Sequence, residues 1–147
     1  QAPGFTMPTR KLPILQETLL EIAAAELEEV DLRPRIDIDA EVRLNELGGD
    51  SFSIMQKLAP FGKDNPAPVF LTRRAGVIEC RTMGNNGDHL RLRLKQDNTM
   101  WPGVGFGLGH SLSEISSELD IVYNIEIDRW GGEETLRLNI LDFAPAR

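Results

Sequence analysis

Arg91, Arg93 and Lys95 occupy every second position of the stretch Asp88–Gln96, with Leu90, Leu92 and Leu94 between them. In a β-strand that alternation sends three cations to one face and the leucines to the other. At twice the strand rise the cations lie about 6.8 Å apart, which is compatible with tracking successive phosphates of an extended strand. A solvated outer face whose cations balance acidic neighbours would show the same pattern. The surroundings favour binding. Residues 61–100 also hold Lys63, Arg73, Arg74 and Arg81, and they carry 7 basic against 4 acidic side chains in a chain whose net charge is −7. The segments on either side, 1–60 and 101–147, each sum to −5. A basic island inside an acidic chain can still supply the local positive potential that phosphates need.

Single-stranded nucleic acid is also held by bases stacking on aromatic rings. The chain has six Phe, two Trp and one Tyr. Trp101 and Trp130 are the stacking candidates: Trp130 precedes Gly131-Gly132 in a turn near the surface, and Trp101 opens a strand beside Pro102. For both, packing in the core or capping a barrel end is an equal alternative. Phe106 and Tyr123 are expected in the core, because they share strand faces with Val104 and Leu108 and with Ile121, Ile125 and Ile127.

Other chemistries find little support. The run Gly103-Val104-Gly105-Phe106-Gly107-Leu108-Gly109 lacks the Gly-x-Gly-x-x-Gly spacing of a dinucleotide cradle. It reads better as a strand whose small residues allow close backbone approach. Asp37, Asp39 and Glu41 alternate with apolar residues as the wet face of a strand does. Cys80, His89 and His110 are too few for a closed zinc site, and a single cysteine makes no internal disulfide. His110, Ser111 and Ser113 lack a third partner for a nucleophilic triad. No catalytic centre and no metal site is expected in these residues.

The elements that must position the cations follow from periodicity. A chain of 147 residues with 41% hydrophobic residues and a mean hydropathy of −0.24 makes one domain with an attached fragment. Apolar runs such as Ile22–Ala25 fall far short of the roughly 18–20 residues of a membrane span, and no secretory signal opens the chain, so a cytoplasmic protein with no membrane contact is expected. Lys11–Val30 is predicted as a helix, with Pro13 in its first turn and Leu15, Leu19, Ile22, Ala23, Leu27 and Val30 at helical spacing. Pro34 ends it, and a boundary near residue 35 divides the chain into 1–35 and 36–147. Beyond it the expected strands are 36–45, 69–72, 76–83, 89–96, 100–106, 121–128 and 135–143. Short helices are expected at 50–58 and 112–119, with turns at Asn85-Asn86-Gly87 and Trp130-Gly131-Gly132. The fold class is therefore mainly β with flanking helices: a small antiparallel barrel of five or more strands, of the oligonucleotide-binding kind, preceded by an N-terminal helix.

Several motifs resemble those of one family. The segment Leu58-Ala59-Pro60-Phe61-Gly62-Lys63-Asp64-Asn65-Pro66-Ala67-Pro68 resembles the Pro-Phe-Gly-x-Gly-Asn-Pro loop of the RecJ family, single-stranded-DNA-specific exonucleases of the DHH superfamily, with Asp64 at the second glycine. Gly87–Leu92, Asp120–Tyr123, Asp128–Gly132 and Leu136–Asp142 continue the resemblance, Asp128 and Arg137 standing where the family often has Asn and Gln. Ala2-Pro3-Gly4-Phe5-Thr6 is similar to the end of the motif Gly-Gly-His-x-x-Ala-Ala-Gly-Phe-Thr, which implies that the chain starts inside a DHH-associated domain and that 1–35 is its C-terminal remnant. The resemblance also implies a manganese- or magnesium-dependent nuclease domain outside this chain, no cofactor within it, and no hydrolysis by it. The expected function is binding single-stranded DNA through Arg73, Arg74, Arg81, Arg91, Arg93 and Lys95, with Trp101 or Trp130 stacking. Expected partners are the DNA, the protein's own nuclease domain and other repair proteins. The alternative is a docking module that positions the nuclease core or a repair partner with little DNA contact. Pro60, Phe61, Gly62, Asn65 and Pro66 form the family-motif loop, in which Gly62 is expected to supply a positive φ and the prolines to fix the exit direction.

Overall fold

The computed structural model describes residues 4–28, 30–129 and 134–146, and the chain divides into two compact units, Gln1–Ile36 and Asp37–Arg147. In the first unit a 3-10 turn, Thr9–Lys11, runs into helix α1, Leu12–Leu27, with proline in its first turn. The helix stops short of the expected Val30. The chain turns instead at Asp31, whose carboxylate accepts hydrogen bonds from the Arg33 backbone N–H and from the Arg33 and Arg35 guanidiniums at 2.8–3.1 Å. These bonds hold the Asp31 carboxyl well below the usual carboxylate range. No residue of α1 is buried, and Ile14 and Leu20 are each 65% exposed.

The second unit is a closed five-stranded barrel with one short extra strand. Strands β2 (Phe70–Met83), β3 (His89–Gln96), β4 (Thr99–Gly105), β5 (Glu118–Asp128) and β6 (Thr135–Pro145) pair in the order β2-β3-β4-β6-β5, and β2 pairs again with β5 to close the circle. All these ladders are antiparallel except β4 with β6, which is parallel. The inward side chains of the leucine-rich β3 meet Trp101, Leu119, Ile121, Tyr123, Leu138 and Ile140 in a single core. Tyr123 is fully buried, as its strand face predicts, and its hydroxyl lies 2.8 Å from that of Thr72.

Three expected elements are corrected. The strand at 36–45 shrinks to β1, Ala40–Glu41, which pairs with β2 in parallel. The chain then turns inward through a 3-10 segment, Leu44–Glu46, and both Leu44 and the following Leu47 are buried. The segments 69–72 and 76–83 are one strand, because β2 continues through a bulge at Arg73-Arg74 in which Arg74 adopts φ 54. The helix at 112–119 is a 3-10 segment, Gly109–Glu114, and β5 begins four residues later. Helix α2, Asp50–Gln56, stands near its expected place.

The motif loop has an architectural geometry. Asn65 donates its side-chain amide to the carbonyls of Leu58 and Pro60, at 2.9 and 3.0 Å, and Gly62 and Asn65 exchange backbone hydrogen bonds. Gly62 is not among the glycines with positive φ, and no atom crowds the position of a Cβ there, so it does not play the expected role. The glycines that need their freedom lie elsewhere. Gly107 takes φ 75, and a Cβ on Gly109 would stand 1.9 Å from the Gly87 carbonyl oxygen. Among the described residues no helix is long and apolar enough to cross a membrane.

Candidate nucleic-acid interface

Strand β3 carries out the division its alternation predicts. Leu90, Leu92 and Leu94 are buried, while Arg91, Arg93 and Lys95 point outward and are exposed. No carboxylate among the described residues pairs with any of the three. Across the ladder on one side, Arg81 stands beside Arg91 and Glu79 beside Arg93, with a loose Arg81–Glu79 contact at 3.9 Å. On the other side β4 places an apolar residue next to each cation: Met100 by Lys95, Pro102 by Arg93 and Val104 by Arg91. Met100 and Pro102 are exposed, and Val104 is largely covered. Cross-strand neighbours on one face of a sheet lie about 5 Å apart, so the cation row and the apolar row run side by side.

The apolar row ends at an aromatic side chain. Phe106 is 49% exposed, which corrects its assignment to the core. Its ring meets His89 edge-on, centroids 5.3 Å apart, and the Arg137 guanidinium lies 5.5 Å from its centroid. Phe106 continues the alternation of Met100, Pro102 and Val104, which stand opposite the outward cations of β3, so it belongs to the outer face, and reading Val104 as a core residue is what placed it inside. Its turn is held by Gly107, whose N–H donates to His89 Nδ1 at 3.0 Å. A groove of about 450 Å³ opens here, lined by Arg91, Pro102, Val104, Phe106, Arg137 and the carboxylate-bearing Asp128, among others. Arg137 is ion-paired to Glu126 and Asp128 at 3.3 Å each, yet its Nε–H is buried without a partner. No sequence pattern set Arg137 or Phe106 apart, because their meeting depends on β4 and β6 lying next to each other.

The remaining predicted residues lie apart from this groove. Trp101 is only 7% exposed and its indole N–H donates to the Leu44 carbonyl at 3.0 Å. It is a core residue that seals the barrel over the Leu44 turn, which removes it as a platform for a base. Arg73 and Arg74 sit at the β2 bulge in ion pairs, Arg73 with Glu41 and Asp120 and Arg74 with Glu118. Asp120 also accepts the Arg74 backbone N–H at 3.0 Å, so this cluster stabilises the bulge. The 600 Å³ cleft beside it contains as many carboxylates as cations, which leaves little net potential for phosphate. Trp130 lies outside the described residues. Asp39 uses its carboxylate to accept the Val69 N–H at 2.8 Å, a structural bond of the β1 edge. No three His, Cys, Asp or Glu side chains among the described residues come together to hold a metal ion. Among the described residues the donors that manganese or magnesium would need are not assembled at this site.

Strand order and groove agree with the oligonucleotide-binding barrel, in which the second and third barrel strands, here β3 and β4, present the binding face. Comparison with known proteins reaches the same fold. A solved RecJ from Thermus thermophilus in complex with Mn2+ superposes with a TM-score of 0.74 at 22% identity, over 98% of this chain and 20% of that one. The same protein in complex with Mg2+ gives 0.70 at 21% identity, over 98% and 22%. The single-stranded-DNA-specific exonuclease RecJ of Bacillus subtilis (strain 168) is 30% identical over 145 residues, which is 97% of this chain and 18% of the relative. The chain thus spans about a fifth of the length of the relatives it matches. Residues 38–142, from before β1 to within three residues of the end of β6, match the model of the RecJ OB domain, and the chain belongs to that family.

Proposed function

We propose that this barrel is the single-stranded-DNA-binding module of a RecJ-type exonuclease, retaining substrate for a nuclease domain elsewhere in the protein during DNA repair and recombination. The observation that carries the reading is the row Arg91, Arg93, Lys95, three exposed cations without an acidic partner among the described residues, beside an apolar row on β4 that is exposed at Met100 and Pro102. Cations bind phosphates and exposed apolar side chains can lie against the faces of unpaired bases, so the pair of rows suits a strand whose bases are unpaired. In a duplex the base faces are stacked inside and unavailable to β4. Manganese or magnesium, in this reading, acts in the nuclease domain alone.

Fluorescence anisotropy of a labelled oligonucleotide, single-stranded against duplex and across a salt series, tests it. Single strands should bind more tightly, with log K falling linearly in log salt. The triple variant Arg91→Ala, Arg93→Ala, Lys95→Ala should reduce the magnitude of the slope by about 2, since each phosphate contact on a single strand contributes about 0.7. The paired Arg73 and Arg74 should contribute less. An unchanged slope in the triple variant, or no binding at low salt, would leave the docking-module reading in its place.

A further inference from the structure

We infer that Asn86 is a site of spontaneous covalent modification: its side chain closes on the Gly87 nitrogen and the ring reopens chiefly to isoaspartate, which undoes the seat of Gly87 against Gly109. The inference is independent of the DNA-binding reading.

The chemistry needs an asparagine whose next residue leaves its main-chain nitrogen uncovered. Of the seven asparagines in the chain, Asn86 is the one followed by glycine. With no side chain, Gly87 neither shields its nitrogen nor restricts the rotation that brings it to the Asn86 side chain. The others are held back. Asn65 precedes Pro66, whose nitrogen has no hydrogen, and its amide is committed to the Leu58 and Pro60 carbonyls. Asn124 and Asn139 bond to each other across the β5–β6 ladder at 3.0 Å, and each precedes a β-branched isoleucine. Asn98 precedes Thr99, also β-branched.

Asn86 lies in the turn between β2 and β3, beyond the Met83–His89 pair. It is exposed, and among the described residues nothing hydrogen-bonds to its side-chain amide. Gly84 and Gly87 take φ 92 and 72, and the Gly87 N–H donates to the Gly84 carbonyl at 3.2 Å, the long end of the range for such bonds. The attacking nitrogen is thus only weakly engaged.

The step balances with water as the sole co-reactant. The Gly87 nitrogen attacks Asn86 Cγ and gives up its proton, and the side-chain nitrogen departs as ammonia, leaving a cyclic imide. Water then breaks one of the ring's carbonyl–nitrogen bonds. When the bond to the Asn86 main-chain carbonyl breaks, Gly87 stays attached through Cγ. The main chain is then longer by one methylene, and the old main-chain carbonyl has become a free carboxylate.

Gly87 has no room for that methylene. Its carbonyl oxygen packs so closely on Gly109 that a Cβ could not stand there, and the next carbonyl, that of Asp88, accepts the Gly109 N–H at 2.9 Å. On its other side Gly87 faces the Thr82 side chain. Gly109 opens the 3-10 segment Gly109–Glu114, just after Gly107, whose N–H is held by His89. A change in the β2–β3 turn therefore reaches the loop beyond β4.

Peptide mapping by mass spectrometry of the full chain, incubated in mildly alkaline buffer, tests the site. The amide-to-acid mass gain should appear first at Asn86, with isoaspartate exceeding aspartate by electron-transfer fragmentation. Each event adds one negative charge to a net charge of −7, so anion exchange separates the product. The separated isoaspartate form should melt lower than the parent by roughly 5 °C or more, as crowded packing does, with a shifted Gly109 amide resonance. Asn86→Gln, whose longer side chain closes the ring poorly, should abolish conversion at this turn, and Asn86→Asp, which keeps the main-chain length, should melt near the parent. Earlier conversion of another asparagine, or undiminished conversion of the turn in Asn86→Gln, would overturn the site. A parent-like Tm and Gly109 amide in the isoaspartate form, or an equal loss in Asn86→Asp, would overturn the backbone argument.

Discussion

Replacing Trp101 by phenylalanine separates a core role from a stacking role, because the two predict opposite outcomes. Trp101 is 7% exposed and donates its only polar hydrogen to the carbonyl of Leu44, itself fully buried. Phenylalanine keeps most of the hydrophobic contact but leaves that carbonyl unpaired in a dry site, at a cost of about 1–3 kcal/mol. The smaller ring adds a void worth about 1 kcal/mol. A loss near 3 kcal/mol follows, and for a barrel of about 110 residues this lowers Tm by roughly 12 °C. Circular dichroism melts measure the loss, and anisotropy well below the new Tm measures DNA affinity, which should stay within about twofold of the parent because no atom of the ring reaches the β3–β4 face. An unaltered Tm together with a fivefold or greater loss of affinity would refute the argument and return Trp101 to the binding surface.

Three further outcomes follow from the same geometry. Gly109→Ala forces a methyl against the Gly87 carbonyl oxygen, a backbone atom with little freedom to move. It should cost about 3 kcal/mol or more in denaturant unfolding and shift the amide resonances of Asp88 and Gly107. Tyr123, the sole tyrosine, has its hydroxyl pKa pushed up to about 12, chiefly by burial, against the usual value near 10. Its neutral form is favoured in the fold, so stability is intact below pH 10 and falls by about 2–3 kcal/mol as pH rises from about 10 to 12, where the unfolded chain ionises first. Phenolate absorbance gives the native value directly, and Tyr123→Phe should flatten that part of the pH profile; a native pKa near 10 would contradict the burial argument. Glu79→Gln removes the carboxylate beside Arg93 and should tighten single-strand binding about two- to threefold at low salt, an effect of the size expected for exposed charges. A weaker complex in that variant would place Glu79 among the binding groups.

Much of the barrel was legible because β3 is so regular. Three leucines at every second position leave only one face for Arg91, Arg93 and Lys95, whatever the neighbouring strands are. Periodicity failed where a segment's conformation is set by its partner rather than its own residues. Ile36, Ile38 and Ala40 alternate as a strand would, but β2 accepts pairing only at Phe70 and Leu71, so two residues form β1 while Ile36 and Ile38 remain exposed. The bulge at Arg73-Arg74 was invisible for a related reason. It depends on Asp120, 46 residues away from Arg74, accepting its N–H.

The site divides along the same line. Residue order alone determined the cation row and its spacing, since both are consequences of a two-residue period within one strand. It could not say which cations were free. Arg73 and Arg91 are alike as letters, yet Arg73 meets Glu41 and Asp120 while Arg91 meets no carboxylate among the described residues, because ion pairing is decided by strands brought together in the ladder. Nor could it sort the aromatics. Trp101 stands opposite the inward Leu94, where its indole reaches the Leu44 carbonyl. Phe106 continues the face of Met100, Pro102 and Val104 opposite the outward cations, and only the pairing of β4 with β3 says which face is which. Periodicity within a segment is local physics and can be read from the chain, whereas the choice of neighbour across a closed barrel is non-local and belongs to the tertiary structure.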